Sequence, residues 1–158
     1  MIAKIHEMSD RFPSVALLVA RLYTGWWFLM SGYAKLTRGF LRGGVLMPSL
    51  ERFLAGTPQA WYKTWLVNVV IPHEHVFATL VALGETLVGL ALLGGALTRF
   101  SAAVGIFMVG NYLFAKGWSN PAAFHDKDFI TILLVVLIGG AGRYWSLDGW
   151  RHRQRGQQ

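Results

Sequence analysis

Apolar residues fall in long blocks at 15–36, 76–97 and 100–118, with a fourth, strongly apolar run at 129–142. Asn120 followed by Pro121 reads as an N-cap and first turn, which extends the fourth block back to position 121. The block at 76–97 holds 22 residues. At about 1.5 Å each it reaches roughly 33 Å, enough to cross a bilayer core. The pattern predicts an all-α integral membrane protein, a four-helix transmembrane bundle forming one domain over 1–158, with spans at about 14–36, 76–97, 100–118 and 121–145. Residues 1–12 read as a short amphipathic lead-in, and Pro13 as the first position of the first helix.

The stretch 38–72 is too polar to span. Its apolar and aromatic clusters, among them Leu50, Phe53, Trp61, Tyr62 and Trp65, alternate with Arg52 and Lys63. Trp and Tyr favour the membrane–water boundary, which predicts one or two short interfacial helices between the first and second spans. Tyr144 and Trp145 close the fourth span at the opposite interface.

The spans carry few charges, and each matters. Glu85 is the only charge inside 76–97. A carboxylate at that depth costs about 2.5 kcal/mol or more unless something offsets it. In the first span Arg21, Gly25, Phe28, Gly32 and Lys35 alternate spacings of four and three and share one face. Glu85, Gly89, Leu92, Ala96 and Arg99 repeat that spacing in the second, so Arg21, Glu85 and Arg99 are candidate members of structural ion pairs. Counting rise from the terminus side places Arg21 roughly 9 Å deep and Glu85, Asn111, Trp26 and Trp27 near 17–18 Å. Glu85 is therefore expected to share a layer with Asn111 and the two tryptophans, and to meet Arg21 only through tilt or a bridging group.

Composition sharpens the membrane reading. Of 158 residues 54% are hydrophobic and 15% charged, with a net charge of +7. Such a charge suggests nucleic acid in a soluble protein, but here the basic residues flank apolar blocks, including a basic tail over 146–158, so lipid headgroups are the expected partner. Lys and Arg divide evenly between the two sides of four spans; the dense C-terminal cluster favours cytoplasmic termini. The first apolar run is too long for a removable signal peptide and contains Arg21. There is no cysteine, which excludes disulfides, thiol relays and Cys-held iron–sulfur clusters or haem. No two histidines lie deep enough in separate spans to hold a b-type haem. His73, Glu74 and His75 precede the second span, and His125, Asp126 and Asp128 the fourth. Their spacing matches no metal-ligand pattern, so no metal is expected, and His125 with Asp128 are read as candidate contacts for a ligand head group.

The segments RLYTGWWFLMSGYAKL at 21–36, GETLVGLALLGGALTRFSAAVG at 84–105, NYLFAKG at 111–117 and GRYWSLD at 142–148 resemble the DoxX/DoxD-like membrane proteins. That group includes the small membrane subunit of thiosulfate:quinone oxidoreductase. The resemblance implies a four-helix protein of a bacterial or archaeal cytoplasmic membrane, a diffusible quinone, and functional polar positions at Arg21, Lys35, Glu85 and Arg99. A second oxidoreductase subunit, a soluble redox partner and a homo-oligomer are the protein partners to expect.

Quinone reduction takes up two electrons and two protons and needs a flat apolar slot beside a proton donor. Glu85 is the candidate relay and Arg21 the candidate cation for an anionic donor. Lys35, Trp26, Trp27, Asn111, Tyr112, His125 and Asp128 are the candidate quinone-site residues. The competing reading is a non-catalytic membrane anchor or assembly protein for a soluble redox partner, with the charged faces only holding helices together. A transporter or proton pathway is a weaker third, since four short spans leave little room for alternating access.

Overall fold

The computed structural model describes residues 2–42, 46–55, 59–143 and 146–148. Among these residues every regular element is helical. Three long helices, α1 (Ile2–Thr37), α4 (Glu74–Gly94) and α5 (Thr98–Lys116), are joined by the shorter α6 (Phe124–Gly139). Between α1 and α4 lie α2 (Leu46–Ala55) and α3 (Ala60–Trp65), as the aromatic clusters predicted. Two helical stretches, Ser14–Thr37 and Ala60–Gly94, are long and apolar enough to cross a membrane.

The second stretch is not a straight rod. After α3 the chain continues through a π turn, Leu66–Val70, and a 3-10 turn, Ile71–His73, into α4. Trp65 and Phe77 have ring centroids 5.7 Å apart, whereas twelve residues of straight helix would separate them by about 18 Å. The axis therefore bends where Pro72 withholds a donor and His73 sits at φ −117, ψ 33. The bend lays α3 against the far half of α5, where Leu50, Tyr62, Leu66, Val70 and Ala115 form a small buried cluster.

Helix ends depart from the apolar pattern for local reasons. α1 starts at Ile2, so Pro13 lies inside a helix instead of opening it, and the polar lead-in is continuous with the span. α4 stops at Gly94, before the end of its apolar block, because Gly95 takes the left-handed conformation at φ 64 that ends helices cheaply. Asn120 does cap the next helical turn, accepting a bond from Ala122 N at 2.9 Å, with Pro121 in first position. Tyr144 and Trp145, and most of the basic tail, lie outside the described residues.

α1 and α4 run antiparallel in close contact. A Cβ added to Gly25 would touch Leu92 and Leu93 at 3.0 Å, one on Gly32 would meet Thr86, and one on Gly89 would meet the backbone of Leu29. Small residues thus let two backbones approach, as helices in lipid require. This register puts Glu85 opposite the last turn and a half of α1. Phe28, Val88, Leu92, Val109, Leu133 and Val136 fill the core between α1, α4, α5 and α6.

Candidate functional site

Glu85 is fully buried on the inner face of α4. Its Oε2 is in an ion pair with Lys35 Nζ, and its Oε1 accepts a 2.9 Å bond from the Tyr112 hydroxyl. Lys35 also donates to Ser31 Oγ at 2.8 Å, one turn back on α1. Both carboxylate oxygens are therefore satisfied, one by a cation from α1 and one by a phenol from α5. The Lys35 side chain keeps 24% of its surface exposed while that of Glu85 keeps none. Lys35 is thus one point at which this buried group meets its surroundings, and its ammonium lies 5.9 Å from the centroid of the Phe40 ring.

Helix geometry explains the pair. Side chains on a helix lean toward its N-terminus. Lys35, near the end of α1, leans back toward the middle; Glu85, on antiparallel α4, leans the opposite way and meets it.

A second ion pair sits one turn farther along α5. Lys116 Nζ donates to both oxygens of Asp126, at 2.9 and 2.7 Å. Tyr112 and Lys116 are four residues apart and share a face of α5. From that face Tyr112 reaches α4 and Lys116 reaches the first turn of α6. Beside them the Tyr62 hydroxyl bonds Asn111 through both its carbonyl and its side-chain oxygen, each at 3.1 Å, tying α3 to the same level of α5.

The structure brings together Lys35, Glu85 and Tyr112 of the residues singled out from the sequence, and it separates others. Arg21 is buried 10 residues of α4 away, at the Gly95 turn, a distance of about 15 Å along the helix. There its Nη1 donates to Ala141 O at 3.0 Å and its charge feels Asp148. Arg21 and Glu85, both candidate members of structural ion pairs, therefore do not pair with each other. Asp148 holds that turn from across the chain: it accepts from Leu97 N at 3.0 Å and from Thr98 N and Oγ1 at 2.9 and 3.0 Å, and its own N–H donates to Gly95 O. Arg99 is exposed, with no ion pair among the described residues, because the Gly95 turn breaks the helical repeat that aligned it with Glu85.

The two tryptophans are not layer mates of Glu85. Trp26 is 58% exposed, on the side of α1 away from α4. Trp27 turns toward α6, with its ring centroid 4.4 Å from that of Phe129. Asn111 is engaged by Tyr62, as above. His125 and Asp128 are exposed on the first turn of α6, while Asp126 between them points inward. Asp126 begins the buried series Asp126, Phe129, Leu133 and Val136, whose spacing of three, four and three marks the inner face of α6. That spacing is the signal by which the sequence could have favoured Asp126 over its neighbours. Among the described residues no group of three or more His, Asp or Glu is placed to hold a metal ion. An open apolar groove of about 440 Å³ runs between α1 and α6, lined by Val15, Val19, Tyr23 and Ile132 among others. It lies twelve residues of α1, roughly 18 Å, from Lys35 and is not part of this site.

No curated protein and no solved structure matches the chain significantly. The family model described as DoxX matches residues 16–117, well over half of the chain and inclusive of Lys35, Glu85 and Tyr112. The chain belongs to the DoxX family, and with its apolar helices it is a membrane protein.

Proposed function

We propose that the chain is the membrane subunit of a quinone-linked oxidoreductase, of the thiosulfate:quinone type, in which Lys35, Glu85 and Tyr112 handle the protons of quinone reduction. The single observation that carries this reading is the buried Glu85 carboxylate held between a partly exposed ammonium and a phenol. Two proton donors on one carboxylate form a group that can lose and regain a proton with little movement. In this reading α5, with 19 residues, and α6 with its preceding turn complete a four-span bundle, the termini are cytoplasmic, and α2 and α3 lie at the far interface.

Quinone enters as the substrate. Its reduction takes up two electrons and two protons; the electrons come from the thiosulfate-oxidising partner subunit, since this chain carries no cysteine to hold sulfur chemistry or a cluster. The chain's own part is to present Lys35 to a quinone oxygen, to keep water from Glu85, and to pass protons through the Glu85 carboxylate. Arg21 and Arg99 have no place at this site, and Trp26 and Trp27 do not line it. His125 and Asp128, on the same side of the membrane as Lys35, are left to interfacial contacts with head groups.

One observation favours the second reading, an anchor or assembly protein. Both carboxylate oxygens of Glu85 have partners and the residue is wholly enclosed, as a group that only ties helices together would be. Native purification followed by mass spectrometry of bound quinone, lipid and protein separates the two. Stoichiometric quinone beside a redox subunit supports the oxidoreductase; a soluble partner with no quinone supports the anchor.

A further inference from the structure

Glu85 has two neighbours that can resupply a proton, Lys35 and Tyr112. Lys35 belongs to the surface proposed to meet quinone. One turn beyond Tyr112, about 6 Å along α5, stands Lys116 on Asp126. The side chains of Lys116 and Asp126 keep 20% and 9% of their surface exposed, so the pair is sunk just below the surface at the end of the bundle opposite the termini. A buried ion pair seldom improves on an apolar one for stability, so a role other than stability is the natural one to test.

We infer that Lys116 and Asp126 are the proton inlet of the membrane site, feeding Glu85 through Tyr112 from the face opposite the termini. The inference rests on Glu85 acting as a relay. The charged and titratable groups along the route are Lys35 from α1, Tyr62 from α3, Glu85 from α4, Tyr112 and Lys116 from α5, and Asp126 from α6. In one transfer Asp126 takes a proton from the aqueous side and passes it to Lys116 as Lys116 passes one to Tyr112 and Tyr112 passes its own to Glu85. Between Tyr112 and Lys116, one turn apart on α5, the proposed transfer runs through one bridging water. Asp126, Lys116 and Tyr112 end as they began; Glu85 has gained one proton and the aqueous phase has lost one.

The test needs no quinone. The full-length protein in liposomes is moved into heavy water, and deuterium exchange of the Tyr112 hydroxyl is followed by infrared spectroscopy, its band identified by subtraction of Tyr112→Phe. Removing a relay group slows exchange by about a hundredfold, so Asp126→Asn exchanges slowly while Asp128→Asn, at an exposed carboxylate two residues on, keeps the unaltered rate. Should Asp126→Asn fold poorly, the double variant Lys116→Met with Asp126→Leu replaces the pair by apolar groups and gives the same slow exchange. Exchange at the unaltered rate in the double variant, or equal slowing in Asp128→Asn, overturns the inlet. Absent quinone turnover in the unaltered protein, by contrast, counts against the function proposed above and leaves the exchange result to stand alone.

Discussion

Lys35 and Glu85 join α1 to α4 through a buried ion pair whose carboxylate is fully enclosed and whose ammonium is not. The asymmetry decides what each substitution does. Lys35→Met strands a buried carboxylate beside a single phenol. Breaking a buried pair in this way costs about 3–5 kcal/mol. Glu85 escapes part of that only by taking up a proton. The double variant Lys35→Met with Glu85→Leu removes both charges and is expected to recover most of the loss. Thermal unfolding in one detergent, compared across the single and double variants, checks this; equal losses in both would show that the charges are not coupled.

Close approach of the two helices is a separate source of stability. A methyl group on Gly89 would meet the backbone of Leu29, which cannot move aside as a side chain can. Gly89→Ala is therefore expected to destabilise the helix pair by about 1–3 kcal/mol. Gly110→Ala, inside α5 with open space around its position, is expected to stabilise by about 0.5–1 kcal/mol. A melting-temperature comparison of the two alanine variants reads this directly, and similar values would contradict the register described for α1 and α4.

Asp148 caps α5 from outside the matched family segment and bonds both sides of the Gly95 turn. Asp148→Ala removes three accepted bonds and is expected to cost about 0.5–2 kcal/mol, the usual range for a lost cap. The loss should appear as faster proteolysis at the turn before α5. Because this cap lies about 15 Å from Glu85, quinone-linked turnover per folded molecule is expected to stay the same.

The helices were legible because long apolar blocks leave few alternatives, and the shared face of Gly25, Phe28, Gly32 and Lys35 was legible from spacing alone. What the sequence hid depended on contacts between helices. Depth counted along single helices put Glu85 in one layer with Trp26 and Trp27, but the register of α1 on α4 sets Gly89 against Leu29 and Thr86 against Gly32, which moves Glu85 past the tryptophans to the end of α1. Side-chain lean, applied to Arg21, also governs Lys35, and there it brings cation and carboxylate together. Asp126 was obscured by reading His125 and Asp128 as one face and stopping there; the apolar series behind Asp126 shows which face is inner. The role of Asp148 could not be read from spacing, since its partners at Leu97 and Thr98 are some fifty residues earlier in the chain.

Glu85→Gln is the most direct measurement of the central claim. Glutamine keeps the size of the side chain and can still accept a bond from Tyr112, but it cannot take up and release a proton. The native complex carrying this substitution is assayed in membranes with thiosulfate as donor and a short-chain ubiquinone as acceptor, after insertion and partner association are verified. The proposed function predicts that quinone reduction is lost, by about a hundredfold or more, while the protein still inserts and still binds its partner. Turnover at the unaltered rate would contradict it and leave Glu85 as a tie between helices.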